Sequence, residues 1–212
     1  MISRRSFIGG ATTLCLAGAL GLYGCNSSSA DKPDEDEQSS NATDEIDETD
    51  AEIIADLTNG CVLCFSATGN TWGIAEKIGA DLGVDPVRIE PQEPYTDTDL
   101  DYNDSSTRAT VEQNEGTARP AIVDNIPDIS SYGTVYLGYP IWWGKAPRII
   151  LTLLESGKLD GKKIITFCTS GSSDIDGSLE ELHAAAPNST WGSSRRFASD
   201  ATNASIASWL GL

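Results

Sequence analysis

A single junction does more than anything else in this 212-residue sequence to limit the possible folds. Cys61 to Phe65 is a short apolar run that breaks into Ser66, Ala67, Thr68, Gly69, Asn70 and Thr71, after which Ile74, Ala75, Ile78 and Leu82 recur at helical spacing. The pattern is strand, tight loop, helix. Such a loop offers backbone N–H groups and a helix N-terminus to an anion, and Ser66, Thr68 and Thr71 add hydroxyl donors. The Gly-Lys-Ser/Thr of a nucleoside triphosphate loop is missing, and so is the Gly-x-Gly-x-x-Gly of a dinucleotide pyrophosphate site. Neutral donors alone suit a terminal monophosphate, with Gly69 permitting a backbone geometry that a side chain would hinder.

Two later segments repeat the arrangement of a loop after a strand. Gly138, Tyr139, Pro140, Ile141, Trp142, Trp143, Gly144, Lys145, Ala146 and Pro147 follow an apolar strand at Thr134 to Leu137. Phe167, Cys168, Thr169, Ser170, Gly171, Ser172 and Ser173 follow a strand at Lys163 to Thr166. Ligands of doubly wound sheets sit at the carboxyl ends of strands, near a topological switch point, so these loops belong to one site. Val87 to Glu90 supplies a second strand and Trp191 to Phe197 a last one. Ala146 to Glu155, Ser178 to Ala186 and Ala201 to Leu210 read as helices. The fold class is therefore α/β, a five-stranded parallel sheet flanked by helices. Pro91 to Ser131 is too long for a plain loop, and Asp99 to Glu115 is the stretch of it that could form a helix.

Ser-Ala-Thr-Gly-Asn-Thr at 66–71 resembles the flavodoxin phosphate loop, and the segments at 138–147 and 167–173 are similar to FMN-contacting loops of a flavodoxin-like subfamily with a Tyr-Pro-Ile-Trp-Trp-Gly stretch. The resemblance covers nearly all of 60–212. It implies a flavodoxin-like doubly wound sheet of order 2-1-3-4-5 and FMN as cofactor. The implied FMN contacts are Ser66, Thr68, Gly69, Asn70 and Thr71 at the phosphate, and Pro140, Ile141, Trp142, Trp143, Gly144, Thr169, Ser170, Gly171 and Ser172 around the ring. Backbone N–H groups of Trp142, Trp143 and Gly144 would lie near flavin N5, and those of Gly171 and Ser172 near the pyrimidine edge. Adjacent loop residues point apart, so one tryptophan is expected at the isoalloxazine ring and the other packed in the domain, with Trp142 chosen for the flavin. Short-chain flavodoxins carry an aromatic residue in the loop after the fourth strand. Thr169 to Ser173 has none, which leaves the outer flavin face less shielded and favours hydride or quinone chemistry over pure one-electron carriage.

Charge divides the chain into three parts. Residues 1–25 hold Arg4 and Arg5 and no acid, 26–58 hold twelve acids against Lys32 alone, and 59–212 carry twenty acids and eleven bases, within a total of −18. Such a field repels phosphodiester backbones and excludes a nucleic-acid binder that relies on counterion release. Arg4, Arg5 and Phe7 before the uncharged stretch Ile8 to Gly24 resemble a twin-arginine export signal, and Leu22, Tyr23, Gly24, Cys25 resembles a lipoprotein cleavage box with Cys25 as the lipidated residue. The alternative is an uncleaved N-terminal anchor. Either places the domain outside the cytoplasm, joined to the membrane by its N-terminus. Export of an already folded chain also implies that a cofactor is acquired first. The acidic segment 26–58 has too few large apolar residues to offset the entropy of ordering and is expected to act as a tether.

The remaining residues argue for restraint. Cys61 and Cys64 have redox spacing, but residues three apart on a strand face opposite sides. They and Cys168 read as small buried apolar groups. His183, the sole histidine, sits on a helix among acids, and no metal-ligand cluster is evident. Tyr95 and Tyr102 in the insertion could edge the flavin, or serve as surface cover. Three functions stay open at this point: an extracytoplasmic FMN protein that transfers electrons to a redox partner protein or quinone, as a monomer or homodimer; an FMN-dependent quinone or NAD(P)H oxidoreductase; and a lipoprotein binding module that has lost its flavin.

Overall fold

The structure, a computed structural model, describes residues 59–212. The export signal, Cys25 and the acidic segment 26–58 lie outside the described residues. Strand β1 (Gly60–Cys64) leads into helix α1 (Asn70–Leu82), followed by the two-residue strand β2 (Val87–Arg88). After a single turn of 3-10 helix at Thr98–Leu100 come α2 (Arg108–Asn114), β3 (Thr134–Pro140), α3 (Arg148–Glu155), β4 (Lys163–Thr169), α4 (Asp176–Ala185), β5 (Thr190–Phe197) and α5 (Asn203–Leu210). All pairings in the sheet are parallel and its order is β2-β1-β3-β4-β5, the order expected from the sequence.

Alternation along the strands builds two separate cores. Leu63 and Phe65 of the β1 segment, with Val135, Leu137 and Tyr139 of β3, meet Ile149, Ile150, Leu153 and Leu154 of α3 and Leu182 of α4. Val62 and Cys64, with Tyr136 and Phe167, face Ile74, Ala75 and Ile78 of α1 and Ile206 and Leu210 of α5. Each such buried Leu or Ile contributes about 1.5–3 kcal/mol. The period of two therefore puts Cys61 in the first core and Cys64 in the second, on opposite faces as the spacing required.

Element bounds differ from the expectation where local chemistry competes with pattern. Strands β3 and β4 run on to Pro140 and Thr169, so Gly138, Tyr139 and Pro140 are sheet rather than loop. Gly138 is there because a Cβ would stand 2.3 Å from the Phe167 ring of the neighbouring strand. Strand β2 stops at Arg88, and the chain then forms an isolated antiparallel bridge from Pro91 to Ile122. Helix α3 starts at Arg148 instead of Ala146, since Pro147 holds an extended ψ of 143° and caps it. Helix α5 starts at Asn203, where the Thr202 side chain accepts the Ser205 N–H. Within 99–115 only Arg108–Asn114 is α-helical. Before it, the Asp101 and Asp104 carboxylates accept the Asn103 and Ser106 N–H groups at 2.9 and 2.8 Å, local turns that displace the helix.

Candidate functional site

Beyond the carboxyl ends of β1, β3 and β4 lies a cleft of about 570 Å³, within the range of small-molecule sites. Thr68 comes from the first loop, Ile141, Trp142 and Trp143 from the second, and Ser170, Gly171, Ser172 and Ser173 from the third. Three segments separated by about a hundred residues of chain thus line one space. The insertion closes the fourth side with Leu100, Tyr102 and Ala109; Tyr102 is 75% exposed, a cover at the rim.

The first loop ends at Gly69, which caps α1 in the left-handed region at φ +88°. No side chain caps this helix and its first turn holds no acid. The N–H groups of that turn are consequently free to meet an anion, with the positive end of the helix dipole behind them. Asn70 donates its side-chain N–H to Thr68 Oγ1 at 3.3 Å, which orients that hydroxyl. Ser66 and Ala67 line an adjoining cavity of about 440 Å³ beside Arg88 and Tyr95, so the loop forms a wall between two spaces. Thr71 is fully buried, and its hydroxyl meets that of Thr169 at 2.8 Å. This pair ties the start of α1 to the end of β4 across 98 residues of sequence and closes both side chains off from solvent.

The second loop is a tight reversal. Trp142 N–H donates to Lys145 O at 2.9 Å and Lys145 N–H returns the bond at 3.0 Å. Trp143 and Gly144 at its tip have φ of 49° and 76°, positive at both central positions as a type I′ turn demands. Trp143 is the one non-glycine residue among those described with positive φ, and backbone strain of this kind concentrates at functional sites. The two indoles do point apart, but in the opposite sense to the expectation. Trp142 is the packed one, edge-on to Phe65 at 5.5 Å and to Tyr95 at 5.1 Å between ring centres, while Trp143 is 44% exposed. Both still line the cleft.

Residues outside the motifs hold this turn in place. Gln113 of α2, 8% exposed, donates its side-chain amide to Trp142 O at 2.8 Å and to Ala146 O at 3.3 Å. Arg148, 4% exposed, donates to Gln113 O at 3.0 Å and pairs with Glu181 of α4. Tyr95 packs its ring against Phe65 and Trp142, and its hydroxyl bonds Glu112; burial first, then this acceptor, pushes its phenol well above the usual range. No spacing signal in the sequence singles out Gln113 or Arg148.

The chain matches the flavodoxin family model over residues 60–211. The chain belongs to the flavodoxin family. Among solved structures, a candidate flavoprotein of Bacteroides eggerthii is 42% identical to it, covering 72% of this chain and 95% of that one at a TM-score of 0.67. Another from Bacteroides uniformis is 37% identical over 72% and 97% of the two chains, with a TM-score of 0.68. A Lactobacillus acidophilus flavoprotein, solved in complex with FMN, shares the fold at 22% identity and a TM-score of 0.57, over 72% of this chain and 98% of that one. No curated protein matches the chain.

The chemistry of this flavodoxin site fits a ring-bearing monophosphate. The Thr68 hydroxyl, next to the uncapped start of α1, shares the cleft with two indoles and a Ser/Gly loop. Reactive thiols are absent from it. Burial pushes Cys61 up to about 11 and Cys168 up to about 12, and Cys64 further still. Among the described residues no group of three or more His, Cys, Asp or Glu could hold a metal ion. His183 is exposed and stacks on Trp191 at 4.4 Å between ring centres, away from the cleft residues.

Proposed function

We propose that this flavodoxin binds FMN in the cleft and transfers electrons outside the cytoplasm, held at the membrane by a lipid on Cys25. The observation that carries the reading is the convergence of Thr68, Trp142–Trp143 and Ser170–Ser173 beside an uncapped helix N-terminus. The solved relative with bound FMN supports it. FMN, when bound, supplies reversible one- and two-electron chemistry. The chain's own residues do the rest. The Thr68 hydroxyl and the first turn of α1 would hold the phosphate; Gly69 keeps the loop open for it. Trp142 and Trp143 would wall the ring, and the free N–H groups of Trp143 and Gly144 would meet its polar edge. Thr71 and Thr169 act from behind, fixing the distance between phosphate loop and ring loop.

Twenty acids against eleven bases in residues 59–212 lower the reduction potential, because a negative field disfavours an anionic reduced ring. One charge about 10 Å away at near-aqueous dielectric is worth roughly 0.4 kcal/mol. Export through the Arg4–Arg5 signal would carry the folded, loaded domain, and the acidic segment would hold it off an anionic lipid surface.

A second reading, quinone or nicotinamide oxidoreductase, is favoured by one observation. The Ser170–Ser173 wall carries no aromatic ring and leaves that side of the cleft open to a second reactant. Anaerobic dithionite titration of the full-length protein after FMN addition tests the primary reading: one flavin per chain that takes up two electrons supports it, and a protein that stays colourless overturns it. Stopped-flow mixing with NADH and with a quinol separates the two readings. Fractionation of cells expressing Cys25→Ala tests the anchor, with release from the membrane expected.

A further inference from the structure

Gln113 lies on a helix that the family motifs do not include, within the long segment between β2 and β3. Its amide nitrogen faces two carbonyl oxygens, Trp142 O at 2.8 Å and Ala146 O at 3.3 Å. Both neighbours are acceptors, so the amide has one allowed orientation. The opposite atom, Oε1, is buried without a partner, a cost that an apolar residue would avoid. A side chain that carries this cost and is itself gripped through its backbone by buried Arg148 is not generic packing.

We propose that Gln113 is a positioning residue that locks the Trp142–Trp143 peptide with its carbonyl turned inward and its N–H presented outward as a fixed donor. Trp142 O already accepts the Lys145 N–H at 3.0 Å, and Gln113 fills its second lone pair. In a trans peptide the C=O and the following N–H point in opposite directions. The Trp143 N–H is therefore directed to the side away from Gln113, on the exposed tip of the turn, and it has no partner among the described residues. To turn this peptide over, the two hydrogen bonds that Trp142 O accepts would have to break: the one from Lys145 N–H and the one from Gln113.

A turn that can only donate discriminates between oxidation states of a ring. This consequence rests on the FMN reading. Reduction of FMN by dithionite adds two electrons and one proton taken from water, while dithionite is oxidised to sulfite. The proton goes to N5, which changes from a hydrogen-bond acceptor to a donor. If the ring were held with that atom facing the turn, as the family resemblance implies, a fixed N–H donor would favour its oxidised form. Without Gln113 the peptide is freer to present its carbonyl to the reduced ring, and the preference shrinks.

The test uses full-length protein and Gln113→Met, which keeps the length and removes the donor, with thermal unfolding to confirm that the variant is folded. In the protein without FMN, 15N relaxation dispersion at Trp143 and Gly144 should be flat in the wild type and show microsecond-to-millisecond exchange in the variant. With FMN, the ratio of reduced-state to oxidised-state dissociation constants should fall about tenfold, read as a rise of about 30 mV in the two-electron potential. Flat dispersion in both proteins, or an unchanged potential in a variant whose turn has loosened, overturns the proposal. If Gln113→Met does not fold, wild-type amide exchange decides: slow exchange at Lys145 with fast exchange at Trp143 supports it, and fast exchange at both overturns it. Loosening of the turn in a protein that takes up no FMN would uphold the lock and sink the FMN reading, so the two failures are distinct.

Discussion

Replacing Thr71 with Val, Thr169 with Val, and then both, isolates the one buried hydroxyl pair that joins the phosphate loop to the ring loop. Thr71 is 0% exposed and Thr169 6%, with their hydroxyl oxygens 2.8 Å apart. Val keeps the shape of each side chain and deletes the oxygen. Either single change leaves the opposite hydroxyl buried with nothing to bond, a cost of about 2 kcal/mol. The double change removes both polar groups at once and costs about 1 kcal/mol, so the coupling is roughly −3 kcal/mol, at the large end for residues in contact. For a domain of this size each single variant should lose about 4–8 °C in Tm, and the double variant less than either. Urea unfolding of the four proteins, followed by tryptophan fluorescence, supplies the cycle. Additive losses would show that the pair carries no shared energy and would remove the physical link between the two loops.

Four further outcomes follow from the same structure. Gly138→Ala should cost about 1–3 kcal/mol by overpacking, since its Cβ would stand 2.3 Å from the Phe167 ring; chemical denaturation reads it. Gly69→Ala meets no steric neighbour, so its loss of about 1–2 kcal/mol comes from φ alone, and FMN affinity should fall with it. Cys61, Cys64 and Cys168 should resist thiol reagents at pH 8 in the native state and react at once in urea. Because the folded-state pKa of Cys61 is raised from 9.0 to about 11, its contribution is complete below pH 9 and is lost as pH rises towards 11, which alkaline unfolding curves will register. Glu181→Ala should destabilise the domain by about 3 kcal/mol, because Arg148, 4% exposed, would keep a buried charge without its carboxylate partner.

The fold was readable because its signals are local and repeat. Apolar runs at 61–65, 134–137 and 163–166 each end in a Gly- or Ser-containing turn, and that arrangement leaves few sheets other than a parallel one. Strand ends were harder. Gly138 and Pro140 look like turn residues, yet Gly138 is required by a ring on the neighbouring strand, and Pro140 sits at the last position of β3, where a missing N–H costs least. The three loops of the site are legible in the sequence because each must follow a strand. What the motifs did not carry was the support behind them. Thr71 and Thr169 carry hydroxyls suited to a ligand, and only the three-dimensional arrangement shows that they face each other. Nothing local in the sequence tells Trp142 from Trp143, and the aromatic contacts of Tyr95, donated by the insertion, decide which indole is packed. Gln113 belongs to a seven-residue helix whose neighbours Asp101 to Ser106 carry turn chemistry, so no periodicity pointed to it.

The claim on which the rest depends is that the uncapped start of α1 receives a phosphate. Isothermal titration of the full-length protein with FMN and, separately, with riboflavin, which lacks only that group, measures it directly. The account predicts one FMN per chain and riboflavin binding weaker by about a hundredfold or more, the equivalent of about 2.7 kcal/mol. Equal affinity for the two ligands, or heat from neither, would contradict it.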